Sequence, residues 1–104
     1  MVDASGGRRN EAELHRLHGE LLLRQPVPDV PQVEACFQRA IDVARRQQAK
    51  SWELRAAMSL ARLWQRQGKR DQARELLAPI YNWFTEGFDT VDLQEAQALL
   101  AALA

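Results

Sequence analysis

His15 and His18 stand three residues apart on a segment with helical periodicity, a spacing at which two imidazoles can share a metal ion. Cys36, the only cysteine, lies on the next predicted helix. Together the three would form an open zinc site. The internal repeat described below matches His15 with Ala57 and His18 with Leu60, so both histidines also read as packing residues. No complete ligand motif is present. No metal is therefore expected, and Cys36 reads as an inert, partly buried thiol. Glu11, Glu13 and Glu20 recur at helical spacing, as surface carboxylates do on most soluble helices. No nucleophile, base and orienting group can be assembled around them. The chain is expected to be no enzyme and to carry no cofactor. A third constellation is cationic. Arg55, Arg62 and Arg66 recur at i, i+7 and i+11, off the apolar face of their helix, with Met58 and Gln65 beside them. Guanidinium groups so arrayed can clamp carboxylates. They can equally form a solvated face with i, i+4 pairs such as Arg16 with Glu20.

Positioning these side chains requires helices, and the chain supplies them twice. Leu17-His18-Gly19-Glu20-Leu21-Leu22 is matched by Ser59-Leu60-Ala61-Arg62-Leu63-Trp64, 42 residues on. Val33, Phe37, Ala40, Ile41 and Ala44 are matched by Ala73, Leu77, Ile80, Tyr81 and Phe84, 40 residues on. A helical repeat of this length predicts stacked helical hairpins.

The first helix is expected from about Asn10, its cap, to Arg24. It carries Leu14, Leu17 and Leu21 on one stripe and His15, Gly19 and Leu22 on a neighbouring one. Gly19, without a side chain, allows close approach of another helix. Pro26, Pro28 and Pro31 end this helix and stiffen the turn. Asp29 should cap a second helix, about Val30 to Gln48, with Val33, Phe37, Ala40, Ile41 and Ala44 inward. Ser51 should cap a third, to about Gln67, with Ala56, Ala57, Leu60, Ala61, Leu63 and Trp64 inward. Gly68 should end it. A fourth is predicted over about Arg70 to Thr85, with Ala73, Leu76, Leu77, Ile80, Tyr81 and Phe84 inward, a kink near Glu75 to Ala78 caused by Pro79, and Gly87 as terminator. A last helix, capped by Thr90 and running over about Val91 to Leu103, should cover the open end of the stack. Residues 1–10, polar with Gly6-Gly7 inside, read as a flexible leader; residues 11–104 form the domain.

Composition narrows the functional classes. Fourteen basic and fourteen acidic residues leave no net charge. That removes the general electrostatic footprint of a nucleic-acid binder and any broad attraction to an anionic membrane. A single cysteine excludes a disulfide-stapled domain and makes a reducing cytoplasm the natural expectation. No apolar run approaches the ~20 residues of a bilayer span.

The small residues Gly19 and Ala61, the large ones three positions later (Leu22, Trp64), and Phe37-x-x-Ala40 resemble the tetratricopeptide pattern. The repeat is longer than the usual ~34 residues, and Ile80 stands where Ala40 supplies a small residue. A closer resemblance spans about residues 11–104. It rests on the runs Ala12-Glu13-Leu14-His15-Arg16-Leu17-x-Gly19-Glu20-Leu21-Leu22-Leu23, Ser51-x-Glu53-Leu54-Arg55-Ala56-Ala57-x-Ser59-Leu60-Ala61-Arg62-Leu63-Trp64 and Trp83-Phe84-Thr85-Glu86-Gly87-Phe88-Asp89-Thr90. These resemble the tetratricopeptide-like C-terminal tail of large bacterial signalling proteins. Such proteins join a predicted P-loop ATPase to a winged-helix or adenylate/guanylate cyclase-type domain. No ATPase or cyclase motif is present in this chain.

The resemblance implies an all-α fold: a right-handed tetratricopeptide-like stack of two hairpins plus a capping helix, five helices in all. It also implies that the first helix of each hairpin lines a groove. Arg16, Glu20 and Arg24 would then continue the lining begun by Arg55, Met58, Arg62 and Arg66, and the groove would dock an acidic peptide or protein domain. The alternative is a structural module for self-association. The apolar edge of the first helix would make a homodimer, while Trp52, Trp83 and Phe88 offer aromatic anchors.

Overall fold

A computed structural model describes residues 11–85 and 90–104. Five helices follow one another: α1 Glu11–Leu23, α2 Val30–Arg46, α3 Lys50–Arg66, α4 Arg70–Trp83 and α5 Val91–Leu103. The fold is all-α, and successive helices pack on each other as stacked hairpins do. In addition α3 touches both α1 and α5, whereas α2 and α4 do not meet. So α1, α3 and α5 form one row, with α2 and α4 behind it.

The sequence signals account for most boundaries. The Asp29 carboxylate accepts from the Gln32 backbone N–H, and Pro31 occupies the first turn of α2, where a missing donor costs nothing. The Thr90 hydroxyl likewise accepts from the Leu93 N–H and starts α5. The helix α4 continues through Pro79 to Trp83. The predicted terminator Gly87, the aromatic Phe88 and the cap Asn10 lie outside the described residues.

One expectation is corrected. Ser51 does not cap α3; the helix begins at Lys50, and Ala49 holds the cap position without a side-chain hydrogen bond. The reason is the tightness of the preceding turn. Ala49 N–H donates to the Ala44 carbonyl at 2.9 Å, and Gln48 N–H to Arg45 at 3.1 Å. This is the Schellman closure, and the chain enters α3 one residue later. The same closure recurs after α3, where Lys69 N–H donates to Trp64 at 2.8 Å and Gly68 N–H to Gln65 at 3.1 Å. Both closures need a left-handed residue. Gly68 (φ 79°) adopts it freely, whereas Gln48 (φ 54°) does so against its Cβ.

The core runs through the row. Val33, Phe37, Ala40 and Ile41 of α2, Ala73, Leu77 and Ile80 of α4, and Leu93, Ala96, Leu99 and Leu103 of α5 converge on α3. The central helix is buried almost all round: Ala56 through Ala61 are six consecutive buried residues. Four neighbours surround α3, and the small side chains of Ala56, Ala57, Ser59 and Ala61 leave room for them. At the other extreme, α1 buries only Ala12 and Gly19. Its approach to α2 depends on Gly19: a Cβ there would stand 2.6 Å from Phe37 Cε1 and 3.2 Å from Cys36 Cβ.

Candidate functional site

The row of α1, α3 and α5 carries most of the arginines singled out in the sequence; Arg55 and Arg62 meet acids from neighbouring helices, and Arg16 meets acids of its own helix. Arg55 on α3 reaches Glu13 of α1 at 3.3 Å and Asp92 of α5 at 2.9 Å, so one guanidinium ties the three helices together. Arg16 forks onto Glu13, with Nε at 2.7 Å and Nη2 at 2.6 Å, and lies 3.6 Å from Glu20. Ser59, buried on α3, donates to Glu20 at 3.0 Å and accepts from Arg16 at 3.5 Å. Arg62 stands 3.9 Å from Glu95. Arg66 is exposed and makes no ion pair among the described residues.

The field of this network shows in its titration. Burial alone would raise the Glu13 carboxyl. The hydrogen bonds and charge of Arg16, then the charge and hydrogen bond of Arg55, outweigh that and hold it below the usual carboxylate range. Arg16 is held above its ordinary value by its hydrogen bonds to Glu13, and Arg55 above its own by its bond to Asp92. Arg16, Arg55 and Arg62 are thus committed to intramolecular partners, whereas a groove awaiting an acidic ligand presents uncommitted cations.

Met58 is a correction to the expected lining. It is 2% exposed and packs in the core, because α3 has four neighbouring helices and buries most of its circumference. The metal-type residues separate into two contacts. Cys36 Sγ lies 3.6 Å from His18 Nδ1, while His15 Nε2 faces Glu11 at 3.7 Å. Among the described residues no three His, Cys, Asp or Glu side chains converge as a metal site would require.

Leu14, Leu17 and Leu21 are 62%, 43% and 60% exposed, a straight apolar stripe on the side of α1 opposite Ala12 and Gly19. Counterparts 42 residues on are Ala56, Ser59 and Leu63, all buried. On α3 that face is turned toward α1, as the bonds of Ser59 to Arg16 and Glu20 show. The leucine stripe thus occupies on α1 the positions that on α3 are buried.

A second cluster went unnoticed in the sequence. Glu53, buried at the start of α3, meets Arg45 at 2.9 Å and Lys50 at 3.2 Å. The Lys50 ammonium also lies 5.5 Å from the ring centre of Trp83, which is 58% exposed and packs edge-on to Phe84. Together they border an open cleft of about 550 Å³. Only the Lys50–Glu53 pair has local helical spacing; Arg45 and Trp83 arrive through the hairpin geometry. Trp52 is half-buried and takes the Arg55 guanidinium over its ring at 5.2 Å, so it serves the row's network.

No known family model matches the chain, and no curated protein or solved structure matches it significantly.

Proposed function

We propose that this chain is a non-enzymatic, cytoplasmic protein-interaction module of the tetratricopeptide-like kind, the tail of a bacterial signalling ATPase or cyclase-like regulator. Its association surface is the leucine edge of α1. The residue runs shared by the two hairpins support the repeat assignment. The observation that carries the reading is the exposure of Leu14, Leu17 and Leu21 on a face whose equivalent in α3 is a buried helix–helix contact. Contiguous apolar residues left open at the end of a stack favour association with another protein surface. Docking of an acidic peptide along Arg16, Glu20, Arg55, Arg62 and Arg66 is less favoured, because a ligand would first have to displace Glu13, Asp92 and Glu95.

Light scattering of the chain over a concentration series tests this. The mass is expected to rise above 11.9 kDa with concentration. Leu14→Lys/Leu21→Lys should hold it at one chain, and Arg55→Glu/Arg62→Glu should leave association in place. Association abolished only by the arginine pair would move recognition to the face of the row. A single-chain mass throughout, with a Leu17→Cys thiol that labels slowly, would mean the edge is already covered and would remove it as a surface.

A further inference from the structure

We infer that the occupant of the leucine edge is a second copy of this chain, its α1 laid antiparallel against the first across a two-fold axis. The inference rests on the reading of that edge as the association surface, and adds its partner and geometry. Continuity with an existing interface is the first argument. The row already runs α5, α3, α1, each helix packed on the next. The face of α1 that looks outward is the repeat equivalent of the face by which α3 receives α1. A helix set there continues the row, giving α5–α3–α1 joined to α1–α3–α5 of the partner.

The second argument is self-complementarity. A two-fold contact sets one patch against itself, so it tolerates apolar groups at the centre and penalises charge there. Leu14, Leu17 and Leu21 put three leucines at the centre; His18, beside them, touches Cys36 of its own chain instead.

The third argument fixes the direction. Glu11 stands at the N-terminal end of the stripe and exposed Arg24 just past its C-terminal end; Arg24 makes no ion pair among the described residues. Antiparallel pairing brings the acidic end of one stripe beside the basic end of the other, and opposes the two helix dipoles favourably. Parallel pairing would place like charges together at both ends. Three leucines a side are fewer than the ~20 residues a side of a standard stable interface, so the dimer should dissociate on dilution.

Orientation is read by disulfide trapping in a Cys36→Ser background under mild oxidation. In an antiparallel pair, the two copies of position 14 lie about 10 Å or more apart along the helix, beyond the ~7 Å that a disulfide can span. Leu14→Cys alone should therefore not cross-link, while a mixture of Leu14→Cys with Leu21→Cys should give the mixed dimer. Charge gives an independent readout. Glu11→Arg and Arg24→Glu should each weaken the dimer about threefold to tenfold, and an equimolar mixture should regain wild-type affinity, because both end contacts are then complementary.

Efficient self-cross-linking of Leu14→Cys would overturn the antiparallel arrangement and leave the edge as an interface. A wild-type chain that stays monomeric while Leu17→Cys labels freely would overturn the second copy, and leave the edge open for a different protein. Dimerisation indifferent to Leu14→Lys/Leu21→Lys would overturn both this inference and the reading beneath it.

Discussion

The two ends of the helical row are finished differently. At one end α5 turns Leu93, Ala96, Leu99 and Leu103 inward and shows solvent Gln94, Glu95, Gln97 and small alanines. At the other end α1 fully buries only Ala12 and Gly19, half-buries Leu22 and Leu23 against the core, and shows solvent three leucines. The C-terminal helix is held by apolar burial and closes the stack. The N-terminal helix is held by close backbone approach, by the half-buried Leu22 and Leu23 and by an ion-pair network, while Leu14, Leu17 and Leu21 point away from the fold. Three leucines that contribute little to their own helix's attachment are available for something else.

The stability of the two ends should respond to opposite kinds of change. Leu93→Ala at the closed end removes a buried side chain from the core and should cost about 2–4 kcal/mol. Chemical denaturation would show it as a lower midpoint, and an unchanged midpoint would mean that α5 is not part of the cooperative core. Gly19→Ala at the open end adds one methyl where Phe37 and Cys36 leave no room, and overpacking of this kind should cost about 1–3 kcal/mol. Since Ala is a better helix former than Gly by ~1 kcal/mol, a stabilised variant would show that α1 can move off Phe37 and that the tight approach is not required.

How far the sequence reveals this depends on the range of the interaction that matters. The five helices, the caps Asp29 and Thr90, the left-handed Gly68 and the close approach at Gly19 are all written in local patterns. Periodicity spoke for the inward faces of α2 and α4 because each has one buried side. It failed for α3, where Met58 looked like groove lining: a helix with four neighbours buries nearly its whole circumference, and a single-stripe pattern does not represent that. Ser51 is a good cap by type but does not cap, because the backbone closure at Gln48, a residue that seldom turns left-handed, sets the helix start. The partners of Arg55 were invisible because Glu13 and Asp92 lie 42 and 37 residues away in sequence. Only the stacked geometry brings them into reach.

The ion-pair network offers the next test of the contrast, at intermediate size. Glu13→Gln leaves Arg16 and Arg55 short of a shared carboxylate and should cost about 1–2 kcal/mol at neutral pH. Its pH dependence has a definite sign. The folded-state carboxyl sits below its unfolded value near 4.5, so its stabilisation is complete above that value and is lost as pH falls through the folded value. The wild-type midpoint should therefore fall below about pH 4.5 more steeply than that of Glu13→Gln. Parallel acid limbs would mean that other carboxylates dominate the acid response and that Glu13 does not anchor α1.

The smallest effect on the isolated fold should come from the most conspicuous apolar residues. Leu14, Leu17 and Leu21 leave much of their surface in water, so replacing Leu17 with Lys should change single-chain stability by no more than about 0.5 kcal/mol. A core leucine would show several times that. The distinction sharpens when concentration varies. If the edge is an interface, the wild-type chain gains stability by mass action, and its Tm rises with concentration. Leu17→Lys should abolish that dependence while leaving the Tm of the dilute chain almost unchanged. A dilute-limit loss of 2 kcal/mol or more would instead place Leu17 in the monomer's own core, and α1 would then be an ordinary end helix like α5.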